Sequence, residues 1–123
     1  MKKINLKNLQ KKILVRPITM ADYDQLLELE LKCFPNMKPW TKEQIASQLE
    51  RFPEGQIVVE YEGKLVGSSS SLIIDIDEYG EKHSWHDIAD SGFIRNHDRE
   101  GDTLYGIEIM TDPDPKSSSR AFV

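Results

Sequence analysis

The stretch Tyr105-Gly-Ile-Glu-Ile-Met-Thr-Asp-Pro113 decides how the rest of the chain is read. Its apolar residues alternate with Gly106 and Glu108 at the period of a half-buried strand. Pro113, which has no N–H to give to a ladder, closes it. A strand is therefore expected over 103–110. Upstream, Gln56-Ile-Val-Val-Glu-Tyr61 and the run from Lys64 to Ile74 flank Glu62-Gly63. That pattern is a β-hairpin, because glycine accepts the positive φ that a tight turn demands. Gly67 inside the second arm marks a bulge or a close approach of two backbones. Ser68-Ser-Ser-Ser71 falls within that arm, so it reads as strand rather than as a phosphate-cradling loop. Ile13-Leu-Val15, ahead of Arg16-Pro17, is a further short strand.

Between the first strand and the hairpin lie two helices. Thr19-Met-Ala-Asp22 has the form of a capping box with Asp in place of Glu. Tyr23, Leu26, Leu27, Glu30 and Phe34 follow at helical spacing, with Leu29, Leu31 and Cys33 widening the stripe, until Pro35. Thr41-Lys-Glu-Gln44 is a fuller capping box, and Ile45, Leu49 and Phe52 give the second helix its buried face. Pro53-Glu-Gly55 ends it. Residues 75–102 are rich in acids and turn formers, with scattered Trp85, Ile88, Phe93 and Ile94. They read as a long loop with one short helical turn near 85–90, of the kind that is usually functional or mobile. The order strand, helix, helix, strand, strand, long insert, strand predicts an α+β domain with a mostly antiparallel sheet.

With 123 residues, 38% hydrophobic and 30% charged, the chain has the size and balance of one soluble domain. No apolar run has the length of a membrane span. The basic leader lacks the apolar core of a signal peptide. The single cysteine, Cys33, cannot form an internal disulfide, and a cytoplasmic setting is expected. The net charge of −5 is uneven, with five lysines and Arg16 in residues 1–16 and nine acids in 75–102. The basic arm has no interleaved aromatic. A solvated leading segment is favoured over a nucleic-acid contact.

Cys33-Phe-Pro-Asn-Met-Lys-Pro-Trp-Thr-Lys-Glu-Gln44 is similar to the inter-helix segment of GNAT enzymes that acetylate protein α-amino groups. Val59-Glu-Tyr-Glu-Gly-Lys-Leu-Val-Gly67 resembles the hairpin of the same family. Ser84-Trp-His-Asp-Ile88 and Leu104-Tyr-Gly-Ile-Glu-Ile-Met110, around the acidic insert, look most like the GNAT domain that precedes a carbon–nitrogen hydrolase domain in some bacterial proteins. The resemblance covers residues 13–113 by pattern. It implies the N-terminal half of a GNAT fold, acetyl-CoA as donor, and an acceptor amine on a small molecule or a protein N-terminus.

Further implications of the resemblance concern single residues. The end of the last strand, Met110 and Thr111, and the following Lys116, Ser117, Ser118, Ser119, Arg120 and Ala121 match the segment that holds the cofactor pyrophosphate on backbone N–H groups. Ser119 stands where the family has a glycine that lets the backbone approach closely. Glu108 is implied as the general base and Tyr105 as a donor to the leaving thiolate. By spacing alone, Glu108 alternates with Ile107 and Ile109 and would face solvent. The helix that completes the family's cofactor site has no counterpart in the 123 residues. An incomplete domain, weakly active or inactive alone, is therefore expected. A homo-oligomer covering the exposed strand edge follows. The alternative is a non-catalytic interaction domain of a longer, bifunctional protein.

Two other groupings carry less. His83, His86, Asp87, Asp90, His97 and Asp98 include metal-ligating types, but no local motif fixes their spacing and no metal site is expected. Cys33 has no neighbouring base and reads as a structural thiol. Trp40, between Pro39 and a helix cap, reads as a staple against the core.

Overall fold

The computed structural model describes residues 13–80 and 83–113. Residues 1–12 of the basic arm and the Lys116–Ala121 segment lie outside the described residues. The order is β1 (Ile13–Pro17), a 3₁₀ turn (Met20–Asp22), α1 (Tyr23–Cys33), α2 (Lys42–Arg51), β2 (Gln56–Tyr61), β3 (Lys64–Ile74), α3 (Trp85–Ile88) and β4 (Thr103–Thr111), with further 3₁₀ turns at Pro53–Gly55, Ile76–Glu78 and Asp90–Gly92. The four strands form one antiparallel sheet in the order β1-β2-β3-β4. The expected α+β class and element order hold. Among the described residues no helix is long and apolar enough to cross a membrane.

Local chemistry explains the helix starts. Asp22 accepts from the Thr19 N–H at 2.8 Å and from the Thr19 hydroxyl at 3.2 Å. Both its oxygens also face the Arg16 guanidinium, at 2.7 and 2.8 Å. These Arg16 hydrogen bonds hold the Asp22 carboxyl low, at about 2. The pair ties the end of β1 to the entry of α1, and Arg16 also reaches Glu60 on β2 at 2.9 Å. At α2, Thr41 and Gln44 cap each other reciprocally: the Thr41 N–H donates to Gln44 Oε1 at 2.7 Å, and the Gln44 N–H donates to Thr41 Oγ1 at 3.1 Å.

Two bulges set which side chains face the helices. In the β2–β3 pair, Val59 lies opposite Gly67 and Glu60 opposite Leu65, so Val66 is the extra residue. A Cβ on Gly67 would stand 3.1 Å from the Met110 carbonyl, the close approach foreseen there. In the β3–β4 pair, Ser70 lies opposite Glu108 and Ser71 opposite Gly106, so Ile107 is extra. Such a bulge advances the alternation by one residue. Val58, Ser68 and Met110 then stand in one row, and Gln56, Ser70 and Glu108 in the next. The helix-covered face holds the core of Leu26, Ile45, Val58, Leu72 and Ile74. Ile109 turns outward and is 72% exposed.

Residues 75–102 are less of a loop than their composition suggests. Ile88, Ala89 and Ile94 are fully buried in the main core. The segment is locked by side chains of α2: Gln44 Nε2 donates to the Ser91 carbonyl, Gln48 Nε2 to Gly92 and Ser47 Oγ to Phe93. Further on, the Ile73 N–H donates to His97 Nδ1 at 3.0 Å, and the Asp98 N–H to the Ile73 carbonyl at 2.8 Å, so the insert continues the ladder of β3. Asp90, Ser91 and Ile94 take φ of 51°, 54° and 47°, and Gly92 takes 89°. Ile94 is β-branched, so this conformation is costly and persists only because the surrounding packing demands it.

Gly92 is fixed by a second constraint. A Cβ there would lie 2.0 Å from Trp40 Cζ3. Gly92→Ala is expected to lower unfolding free energy by roughly 2–4 kcal/mol, through the clash and the positive φ together. Chemical denaturation of the two proteins checks this; an unchanged midpoint would contradict the packing of Trp40 on this turn.

Candidate active site

The bulge at Ile107 brings Glu108 onto the helix-covered face, where it meets Glu30 from the middle of α1. The two carboxyls hydrogen-bond to each other. Glu30 is 5% exposed. Its pKa is pushed up to about 8, first by burial and then by the hydrogen bond and charge of Glu108. Glu30 is therefore held toward its protonated form at neutral pH.

Trp40 is fastened to this pair. Its backbone N–H donates to Glu30 Oε2 at 2.8 Å, and its indole Nε1–H donates to Glu108 Oε1 at 2.7 Å. The Tyr23 hydroxyl donates to the Trp40 carbonyl at 3.1 Å. Trp40 is thus a core residue, as its setting suggested, and also a ligand of both carboxyls. The Trp85 ring sits 5.4 Å from that of Trp40, centre to centre, tilted by 32°. Its Nε1–H donates to the Ile107 carbonyl at 3.1 Å, at the bulge itself.

Above the carboxyl pair opens a cavity of about 400 Å³. Its floor is Glu30 and Glu108; its walls are Trp40, Trp85, Phe93, Met37 and Pro39; Lys38 and His86 stand exposed at its rim. Beneath the pair, a void of about 10 Å³ is lined by Ser68, Ser70, Glu30 and Glu108, among others. A mostly apolar cleft with a few converging polar groups is the usual form of a small-molecule site.

Two solved structures share this architecture. The loading GNATL domain of CurA from Lyngbya majuscula matches with a TM-score of 0.68 and 21% identity, over 89% of this chain and 53% of that one. The GphF GNAT-like decarboxylase in complex with isobutyryl-CoA matches with a TM-score of 0.63 and 23% identity, over 81% of this chain and 49% of that one. The chain has a GNAT-like fold. Among curated proteins, it is 47% identical over 111 residues to the "Probable hydrolase YhcX" of Bacillus subtilis, covering 90% of this chain and 22% of that protein. It is 34% identical over 103 residues to the "Uncharacterized N-acetyltransferase YkwB" of the same organism, covering 80% of this chain and 46% of that protein. The chain thus spans about a fifth and about half of these two relatives. No family model matches it.

Within the GNAT-like fold, the residues expected at the site separate clearly. Glu108 is at its floor rather than in solvent, which corrects the reading from simple alternation. Tyr105 does not line the cavity. It packs against the core, and its ring meets the edge of His83 at 6.1 Å. Met110 is buried one step beyond Glu108, and Thr111 is exposed at the end of β4. Lys116, Ser117, Ser118, Ser119, Arg120 and Ala121 lie outside the described residues. Cys33 is half-buried and donates to the Thr111 carbonyl at 3.2 Å, and burial pushes its pKa up, which is the opposite of an activated nucleophile.

The histidines do not converge. His86 meets the Trp85 ring edge-on, and His97 stacks on Phe52 at 4.3 Å. Among the described residues, the three-acid group that could gather on a cation is Asp75, Asp77 and Asp102. Its members are mostly exposed, and none of them lines the cavity. Glu30 carried a signal that went unread as chemistry: an acid stands at an apolar-stripe position of α1. Nothing in the sequence marks Trp85, Phe93 and Met37 as neighbours of Glu108.

The raised Glu30 pKa has a signed consequence. Its ordinary value is 4.5 and its folded value about 8. Between those pH values the folded chain binds the extra proton, so stability is fullest below the lower value and is lost as pH rises through the upper one. Glu30→Gln is expected to remove that decline, gaining on the order of 3 kcal/mol relative to the parent between pH 5 and pH 9. Denaturation midpoints across this range check it; parallel pH profiles would show that Glu30 is charged in the folded state.

Proposed function

We propose that the domain transfers an acyl group from acyl-CoA to an amine, with the Glu30–Glu108 pair as the proton acceptor. The observation that carries this reading is the pair of buried Glu30 and half-buried Glu108 lining a cleft in a GNAT-like fold. The isobutyryl-CoA bound by GphF supports an acyl-CoA donor. The N-acetyltransferase name of YkwB supports acetyl-CoA and an amine acceptor. Thr111, exposed beyond buried Met110, and the segment from Lys116 to Ala121 are the proposed contacts to the donor's polar end.

The chemistry balances on this pair. An acceptor arrives as an ammonium and gives one proton to the ionised carboxylate. The freed nitrogen lone pair attacks the thioester carbonyl carbon, and the C–S bond breaks as the C–N bond forms. The second nitrogen proton neutralises the thiolate, the third stays on the amide, and the pair returns its proton to water. Trp40 keeps Glu108 in place through its indole N–H. No step in this reading is assigned to Tyr105.

A homo-oligomer remains part of the proposal. β4 is an edge of the described sheet, and Leu104 and Ile109 along it are 66% and 72% exposed. The second reading, an interaction domain within a longer protein, draws support from the YhcX match, which occupies 22% of a protein named a hydrolase.

Calorimetric titration with acetyl-CoA separates the two readings. Saturable binding at one site per chain supports acyl transfer, and absence of binding at millimolar ligand favours the interaction domain. Glu108→Gln is expected to lower turnover about 10²- to 10⁴-fold while leaving acetyl-CoA affinity within about twofold. Unchanged turnover in that variant would remove the pair from the mechanism.

A further inference from the structure

We infer that the cavity selects a primary monoamine carried on an apolar, preferably aromatic, body, and takes it as the ammonium ion. This deepens the acyl-transfer reading, and rests on it for the fate of the amine but not for its binding.

Charge and shape point the same way. Among the described residues that line the cavity, the acids are Glu30 and Glu108, both at its floor. An ammonium that reaches the pair gains a carboxylate partner in a half-buried, mostly apolar setting, where a charge-assisted hydrogen bond is strong. A neutral group of the same shape would leave that charge uncompensated. The walls on the way down are two indoles 5.4 Å apart, with Phe93 and Met37. Indole faces attract a passing cation through their quadrupole and also pack against an aryl or branched alkyl body.

The rim sets the limit at the other end. Lys38 and His86 are exposed there, and among the described residues the acids that line the cavity are Glu30 and Glu108. A second cation, as on a polyamine, would sit beside Lys38 and be repelled by its charge. A bare small ammonium would reach the floor and leave the apolar walls unfilled. The volume of about 400 Å³ holds a ring with a short amine arm and lacks the extended, acid-lined groove a polycation needs.

The test is a titration of the full chain, without acyl-CoA, followed by tryptophan fluorescence and calorimetry. The probes are 2-phenylethylammonium, its neutral isostere 2-phenylethanol, methylammonium and spermidine. The expected result is one saturable site for 2-phenylethylammonium, with each of the others at least about tenfold weaker. Glu108→Gln, shown folded by its thermal transition, should weaken 2-phenylethylammonium about tenfold or more and leave 2-phenylethanol unchanged.

Equal binding of alcohol and ammonium would overturn the inference by making the cleft merely apolar. Spermidine binding as tightly would overturn the limit at the rim. If acetyl-CoA binds while 2-phenylethylammonium does not, the inference fails and the donor reading survives. If 2-phenylethylammonium binds while acetyl-CoA does not, the amine site stands and acyl transfer falls.

Discussion

Trp40 is the point on which the site depends. Its backbone N–H is held by Glu30, its carbonyl by Tyr23 and its indole N–H by Glu108. Those partners belong to α1 and β4, so one residue between two helices fixes the spacing of helix layer and sheet. The same indole leaves no room for a side chain at Gly92, which sets the path of the insert. A buried carboxyl such as Glu30 is unfavourable unless it is neutral or well partnered. Here it is both: it accepts from Trp40, and burial beside Glu108 holds it toward its neutral form. The polar network satisfies the tryptophan, and the tryptophan keeps water from dispersing the network's charge.

The insert supplies the other half of the cavity wall through constraint rather than looseness. Three side chains of α2 grip consecutive carbonyls at residues 91–93. This grip holds Ser91 and Ile94 in conformations that neither residue prefers. Asn96 adds hydrogen bonds to the Ile88 carbonyl and the Tyr79 hydroxyl. Phe93 and Trp85 therefore face the cavity from a frame anchored on both sides. Strain concentrated beside a cleft is consistent with a site whose walls must stay open when empty.

Most of the fold was legible because its signals are local. The capping boxes at Thr19 and Thr41, the Glu62-Gly63 turn and the stripe of α1 are each decided within a few residues. The candidate site was legible only in part. The family resemblance pointed to Glu108, while alternation along its own strand pointed it outward. The bulge that reconciles them depends on pairing with β3 and leaves no mark in β4 itself. Glu30 stands among the positions of a buried stripe, but a single acid there does not reveal its partner 78 residues further along the sequence, since that partnership is made by the register of β4 against β3. In the insert, nine acids among residues 75–102 masked Ile88, Ala89 and Ile94, which are the ones that anchor it.

The extra residue at Ile107 makes the site a matter of counting. Glu108 reaches Glu30 because β4 carries one residue more than the stretch of β3 it faces. Were Ile107 paired regularly with Ser70 instead of left as the extra residue, even alternation would return and everything beyond it would exchange faces. The carboxylate would then point to solvent and Ile109 to the cavity, with no change in the chemical identity of either. Chains of this architecture that look alike in composition can thus differ in whether they possess the pair at all, and the register of this strand against β3 is a better guide to that than the presence of a glutamate within it.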